Sequence, residues 1–485
     1  MLSTSTIEIL KKLNSPELKR LGDFINSPYH NSTKGLDKIY KIVSKAYPDF
    51  TSRDLESEAM AKKVFGPGAY KEKRLKNLCA EFGNLLKKFI GHETLYIDKP
   101  ELNVFIAKGL SLKHLFEISN KFIVKSIKEN NDGLLSAADT FHYKFYLNKL
   151  YIENLGTLRL QETPQYEDTN LEVTEQLLIF FLRTLFSNSL ENNTNGKLFE
   201  IKEDKLLSEI ESAFDIKKIL TYMESVNHKY YSFLKIDYLF YTYSFNDITE
   251  EQYMELKNLI LNSIKKFTKD DKIFTIYKIF QLIHLKMVPL DKRYLEDILE
   301  FTNVFKNLNI YPDALLEPFN HGMFRDIFTT AIILKKFEWA ENFADEFINY
   351  LSMELREGMN NFSKGILSFK RGKYMDSLNY FQKADIVDIN DKIQIRFYYM
   401  MNLIEMKAFE NALSSLSSFR QFCMESKEIP EMHREKIERS LKYFNEIIKC
   451  ELSGERMDSF LHESLNSGEI IAQKQYIMEK MEKLK

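Results

Sequence analysis

The chain has 485 residues, 44% of them apolar and 13% aromatic, and a formal net charge of −2. This length exceeds one compact core, and the apolar content excludes a chain that is disordered throughout, so we expect several domains or a repeat array. The near-neutral charge excludes a global basic surface for nucleic acid or anionic lipid, and a content of only 16 glycines and 10 prolines favours long helices over turn-rich β structure.

Residues 1–93 are predicted to form a separate N-terminal helical domain. Ser15 can cap a helix and Pro16 suits its first position, and this helix must end before Pro28. Further helices are predicted over residues 34–46, 51–64 and 70–90. The tract 92–100 is predicted to be a hinge.

Four short segments of this domain carry a family resemblance. They are residues 24–31 (FINSPYHN), 47–50 (YPDF), 64–66 (VFG) and 74–75 (RL). In these segments the chain resembles a family of uncharacterised, all-helical bacterial proteins that join such a head to degenerate helical repeats. The resemblance implies the architecture and a bacterial source, and it leaves the function open.

The predicted helix over residues 70–90 has a basic face. With Leu75 at the centre of its apolar face, a rotation of 100° per residue places four lysines on the opposite arc; they are Lys73, Lys76, Lys87 and Lys88. This basic helix follows another predicted helix and the turn 66–68 (GPG). Such an order is compatible with helix-turn-helix DNA binding, so a nucleic-acid-binding regulator is the alternative function. Because basic arcs are usually solvated faces and residues 54–58 carry three acids, we expect only weak, non-specific binding by residues 1–95.

Residues 101–320 are predicted to be a degenerate helical-repeat region. The helical pattern covers residues 111–129, 134–155, 171–188, 216–225, 229–244, 250–267, 272–286 and 292–308. The polar tract 156–169 and the tract 192–196 (NNTNG) are predicted to interrupt it, the latter as a loop. The longest apolar run, residues 177–182 (LLIFFL), stops at Arg183 and is far too short to span a bilayer.

Residues 358–391 are predicted to form a hairpin of two amphipathic helices. The helices cover residues 359–370 and 374–387, and a tight turn at residues 370–373 (KRGK) joins them. Gly365 lies midway along the first helix, where a missing side chain allows a close helix approach. Such a hairpin cannot bury its own apolar face, so it needs a neighbour stacked on it.

This hairpin resembles the tetratricopeptide repeat. The residues that match the repeat pattern are Gly365, Gly372, Tyr374, Ser377, Phe381 and Ala384. Two degenerate copies flank this hairpin. In the upstream copy Phe337 matches Tyr374 and Ala340 matches Ser377. In the downstream copy Phe409 and Ala412 take the same two positions. The resemblance implies an all-α superhelix of stacked hairpins, with repeats over residues 321–425 and capping helices over residues 426–485.

The resemblance also implies a groove lined by the first helix of each hairpin. Its candidate partner-binding residues are Met359, Phe362, Phe397, Tyr398 and Met401. If this surface carries function, we expect these side chains to be partly exposed and to accept an amphipathic helix or a hydrophobic peptide. The alternative is that other helices cover them.

No catalytic, metal-binding or cofactor-binding pattern stands out. The His-Glu pairs at residues 92–93 and 462–463 lack the second histidine of a zinc-protease motif. Asp385, Asp388 and Asp391 are interpreted as a helix boundary with a cap rather than a calcium loop. Three cysteines without a CxxC motif, and no targeting signal, predict a cytoplasmic protein. We therefore expect a non-catalytic protein–protein interaction scaffold or adaptor without a cofactor.

Overall fold

The computed structural model describes residues 2–66, 72–97, 99–129, 137–199, 209, 213–310, 318–454 and 471–484. These residues form 22 α-helices and no strand, which confirms the predicted all-α class. The chain divides into two compact units, residues 1–135 with 139–177 and residues 136–138 with 178–485. The finer division at residues 93, 320 and 425 stays a prediction.

The first unit begins with helices whose starts are fixed by side-chain caps. Asn14 accepts a hydrogen bond from the backbone N–H of Glu17 (2.9 Å), and the Glu17 carboxylate accepts one from the N–H of Asn14 (2.8 Å). The helices of this unit are α1 (Thr4–Lys12), α2 (Ser15–Asn26), α3 (Leu36–Lys45), α4 (Ser57–Phe65), α5 (Glu72–Ile97), α6 (Lys99–Leu112), α7 (Phe116–Glu129), α8 (Ala137–Thr157) and the first part of α9 (Pro164–Phe199).

One predicted interruption is wrong, and another is shorter than predicted. Helix α5 continues to Ile97 through most of the tract predicted as a hinge, and α9 continues through residues 192–196, which were predicted to be a loop. In α5 the polar residues of this tract are at least partly exposed, and a solvated helix face tolerates them as well as a loop does. None of the described helices combines the length and the apolar character that a membrane span requires.

The second unit contains the remaining helices. They are α10 (Ile216–Ser225), α11 (Tyr231–Phe245), α12 (Glu250–Ser263), α13 (Lys269–Leu282), α14 (Leu295–Asn307), α15 (His321–Ile333), α16 (Phe337–Phe347), α17 (Met353–Lys370), α18 (Tyr374–Lys383), α19 (Ile389–Glu405), α20 (Phe409–Glu425), α21 (Glu431–Ser453) and α22 (Lys474–Lys483). One continuous apolar core runs from Ile236 in α11 to Met481 in α22.

Four helix pairs are joined by the same short turn, in which the second helix begins two residues after a residue with a positive φ. The pairs are α6–α7, α15–α16, α17–α18 and α19–α20. In each turn one residue has a positive φ, and the next residue donates its backbone N–H to the carbonyl five positions earlier, as in a Schellman motif. The positive-φ residues are His114 (58°), Lys335 (60°), Gly372 (74°) and Lys407 (57°). The corresponding hydrogen bonds measure 3.0, 2.9, 2.9 and 2.8 Å.

The first residue of the second helix is aromatic in all four pairs. Phe337, Tyr374 and Phe409 therefore occupy equivalent sites, as predicted, although each is half-buried rather than largely buried. The fourth equivalent, Phe116, lies in a hairpin that the sequence patterns did not reveal. Three residues further on, every pair has a fully buried small residue: Ser119, Ala340, Ser377 or Ala412.

The small residues allow the two helices of a hairpin to approach closely. Ser377 donates its hydroxyl to the carbonyl of Gly365 (2.8 Å), and a Cβ added to Gly365 would lie only 2.7 Å from the Phe381 ring. Ser119 donates in the same way to the carbonyl of Ala107, also twelve residues earlier (3.0 Å). The predicted role of Gly365 is confirmed, and α6–α7 has the same internal geometry.

Candidate interaction surface

The five side chains predicted to line a groove are buried. Their exposed fractions are 1% for Met359, 0% for Phe362, 1% for Phe397, 6% for Tyr398 and 1% for Met401. The expectation of partial exposure is therefore wrong. The ring of Phe397 packs against Phe419 (centroids 4.9 Å apart) and Phe444 (5.8 Å), which places it in the interior between α19, α20 and α21.

Helix α22 covers another part of the same first helices. The Tyr476 ring lies 6.1 Å from the ring of Phe369 on α17 and 5.8 Å from that of Phe444 on α21. Lys480 Nζ is 2.9 Å from a carboxylate oxygen of Glu405 on α19. The chain thus packs one of its own helices against α17, α19 and α21, on helices that were predicted to bind a partner peptide.

A neighbouring stripe of α19 faces polar residues of α20. It lines an open cleft of about 430 Å³ between α19 and α20, with Ile395, Arg396, Tyr399, Leu403, Asn411, Ser414, Ser415 and Ser418 around it. The Arg396 guanidinium lies over the Phe422 ring at 4.0 Å, and burial lowers the pKa of this group. This cleft is less apolar than the predicted groove, since serines form one wall.

The four lysines of the predicted basic arc are exposed on α5. Lys73, Lys76, Lys87 and Lys88 all point away from the apolar face that packs against the N-terminal core. Lys76 forms an exposed ion pair with Glu72 of the preceding turn (2.7 Å), which reduces the basic character of the arc. Nucleic-acid binding by this face stays a prediction.

The turn between α6 and α7 carries a cluster of exposed apolar side chains. Leu112, Leu115 and Ile118 are 71%, 43% and 54% exposed. They lie within seven residues around a tight turn, so they form one patch at this end of the hairpin; we call them the hairpin patch. Phe105 (55% exposed) extends it along α6, because residues seven apart share a helix face.

The other three hairpins show that an apolar patch is not required by the turn. The residues equivalent to Leu112, Leu115 and Ile118 are Ile333, Lys336 and Trp339 in α15–α16. They are Lys370, Lys373 and Asp376 in α17–α18. In α19–α20 they are Glu405, Ala408 and Asn411. In α17–α18 all three residues are charged and exposed. The same backbone therefore accepts charged side chains at these positions, and only α6–α7 among the four places aliphatic side chains at all three.

Sequence reasoning missed the hairpin patch because it missed the hairpin. The turn of α6–α7 has His114 where the best repeat has Gly372, and its small residue is Ser119 rather than alanine. The available signal was the combination of an aromatic residue and a small residue three positions later, which residues 116–119 share with the other copies.

A buried charge network joins α9, α11 and α13. Arg183 lies 2.9 Å from Asp237 and 2.9 Å from Asp271, and Lys278 lies 3.2 Å from Asp237. The four side chains are at most 7% exposed. Burial raises the pKa of Asp271 and lowers that of Lys278. Burial opposes ionisation of Asp237 as well, but Lys278 and Arg183 hold its pKa below the usual value.

This network does not offer a reaction site. Strongly perturbed pKa values often mark catalytic groups, but such groups lie in clefts that a substrate can enter. Here the charges are paired with each other and enclosed, with the Arg183 guanidinium 3.9 Å from the centre of the Phe233 ring. We assign the network to the stability and geometry of the three helices.

Comparison of this chain with protein families, with curated proteins and with solved structures found no match.

Proposed function

We propose that this chain is a non-catalytic interaction scaffold that binds a protein partner through the hairpin patch. In this proposal the helix pairs stack as a tetratricopeptide-like superhelix, and α6–α7 is a copy whose exposed positions have been adapted for binding. The observation that carries the proposal is the replacement of Lys370, Lys373 and Asp376 by Leu112, Leu115 and Ile118 at equivalent exposed sites.

The physical argument rests on the cost of hydrating apolar surface. Transfer of an exposed leucine side chain from water into an interface is favourable by about 1.5–3 kcal/mol, whereas a charged side chain at the same site gains little. Clustered apolar side chains with a polar rim are typical of protein-binding sites. The hairpin patch has such a rim, with exposed Lys108, Lys113 and Lys121 around it.

The rim favours one kind of partner. The exposed charges nearest to the hairpin patch are these three lysines and one acid, Glu117. A partner segment with apolar side chains flanked by aspartate or glutamate would satisfy both parts of the surface. An amphipathic acidic helix has this pattern.

The test is to give α6–α7 the residues of α17–α18. The variant Leu112→Lys, Leu115→Lys, Ile118→Asp should keep the wild-type helicity and Tm, because the repeat backbone carries these residues elsewhere. Proteins captured from native cells by the wild-type chain and enriched over a resin control should be lost from this variant.

A matched control makes the same charge changes elsewhere. Leu290, Met353 and Val387 are 68%, 70% and 74% exposed, so Leu290→Lys, Met353→Lys, Val387→Asp alters three exposed apolar residues outside the hairpin patch. This control should capture the same partners as wild type. Equal capture by the wild-type chain and the α6–α7 variant would contradict the proposed binding site.

A further inference from the structure

The N-terminal turns of α15 and α19 bring a histidine and two aspartates together. Asn320 caps α15 by accepting a hydrogen bond from the N–H of Met323 (2.9 Å), which places His321 at the first helical position. Asp388 caps α19 by accepting from the N–H of Asn390 (2.9 Å). The predicted capping role of Asp388 is confirmed, but it leaves the second oxygen of this carboxylate and the whole Asp391 carboxylate unexplained.

Arg325 holds one oxygen of each carboxylate. Its Nη1 lies 3.3 Å from Asp388 Oδ1 and 3.2 Å from Asp391 Oδ1. Asp388 Oδ2 lies 3.3 Å from His321 Nε2. One carboxylate oxygen of each aspartate and one ring nitrogen of His321 all lie within 4.8 Å of one another.

Asp391 is the anomalous member of the cluster. Its side chain is 1% exposed, and its Oδ2 has no hydrogen-bond partner among the described residues. A buried carboxylate oxygen without a partner is costly, so an unpaired one in a polar cluster points to a ligand. Burial and the neighbouring Asp388 raise the pKa of Asp391, although Arg325 acts in the opposite direction.

The charges of the cluster do not balance. Arg325 contacts Asp388, Asp391 and also Asp326 through its Nε (3.1 Å). One guanidinium is therefore shared by three carboxylate groups, of which Asp326 is 48% exposed to solvent. A cation bound to the remaining oxygens of Asp388 and Asp391 would add positive charge beside them.

We propose that His321, Asp388 and Asp391 bind a divalent transition-metal ion, with Zn²⁺ the best fit. An imidazole nitrogen and two carboxylate oxygens are ligands that Zn²⁺ accepts at about 2.0–2.2 Å, and two ligand atoms of a tetrahedral site are then about 3.3–3.6 Å apart. The distance between His321 Nε2 and Asp388 Oδ2 is 3.3 Å. Arg325 holds Oδ1 of both carboxylates, which orients them from outside the coordination sphere. A water molecule completes the site.

The site would act as a clamp between helix pairs. His321 begins the first helix of α15–α16, whereas Asp388 and Asp391 begin that of α19–α20, and α17–α18 lies between them in sequence. Zinc would thus tie α15–α16 to α19–α20. This assignment is independent of the proposed partner-binding site.

The test is calorimetric titration of the full-length chain with Zn²⁺ in a buffer without chelators. We expect one equivalent to bind the wild type and to raise its Tm. His321→Gln and Asp391→Asn should each weaken binding by at least about tenfold, since each removes one of three protein ligands and the loss of even an outer-shell partner costs on the order of 10–100-fold. His321 is partly exposed, so its replacement tests the site even if Asp391→Asn unfolds the chain.

The control is Asp385→Asn, which removes an exposed acid three residues before the capping aspartate. It should bind Zn²⁺ as the wild type does. Absence of a zinc-binding event in the wild type, or unchanged affinity in His321→Gln, would overturn the proposal and leave the cluster as an ion-pair contact between α15 and α19.

Discussion

At the scale of single residues, the second unit contains a network of four buried charges. Arg183, Asp237, Asp271 and Lys278 compensate one another in pairs. Such a network contributes little net stability against well-packed apolar residues, but it penalises any state in which one charge loses its partner. We expect the charge balance of the network, rather than any single contact, to set its effect on the free energy of unfolding.

This balance leads to a prediction in which a second substitution restores stability. Asp237→Asn leaves Arg183 and Lys278 with one carboxylate between them, so we expect its free energy of unfolding to fall by about 3–5 kcal/mol. Adding Lys278→Met leaves one cation, Arg183, and one anion, Asp271. The double variant should therefore be more stable than Asp237→Asn alone in urea denaturation.

An exposed ion pair serves as the control. Arg371 and Glu341 form a bidentate pair with one contact of 3.0 Å, at side-chain exposures of 40% and 43%. Arg371→Met should cost less than about 1 kcal/mol, because water replaces the partner. The double variant could instead be no more stable than Asp237→Asn. That result would show that packing around Lys278, and not charge balance, sets the loss in the free energy of unfolding.

At the scale of helices, the turn connecting each hairpin is the feature that recurs. The turn depends on one residue with a positive φ. Of the four residues at this position, only Gly372 adopts such a φ without strain. His114, Lys335 and Lys407 adopt the same conformation, so a search for glycine finds one hairpin and overlooks the geometry of the others. This explains why α17–α18 was recognised first and α6–α7 not at all.

Helix α22 provides a prediction at this scale. Ile477 and Met481 are fully buried against the core, and Tyr476 contacts α17 and α21. A chain that ends at residue 470 should therefore keep its other helices but expose an apolar surface. A synthetic peptide of residues 471–485 should bind this shortened chain and not the full-length chain, as measured by fluorescence anisotropy.

The matched peptide carries Ile477→Asp. It should bind at least about tenfold more weakly, because a buried aspartate without a partner costs more than 1.4 kcal/mol. Equal binding of both peptides, or equal binding to the shortened and full-length chains, would contradict the view that α22 occupies a specific site on α17, α19 and α21.

At the scale of the whole molecule, local patterns predicted the helices and distant contacts decided their surfaces. The apolar stripe of α5 was predicted correctly, since it depends on neighbours within a few turns, whereas the cap of α2 is Asn14 and not the predicted Ser15. The burial of Phe397 was not predicted, because it depends on α20 and α21, which pack against α19. Likewise Arg183, which ends an apolar run, pairs with Asp237, 54 residues away.

The central claim is that α6–α7, and not the first helices of α17–α18 and α19–α20, binds the partner. Hydrogen–deuterium exchange of the full-length chain, with and without a partner captured through the wild type, tests it most directly. We predict that the partner slows exchange over residues 105–125 and leaves residues 353–370 and 389–405 unchanged. Protection confined to residues 353–370 and 389–405 would contradict the claim and return the site to the surface first predicted from the sequence.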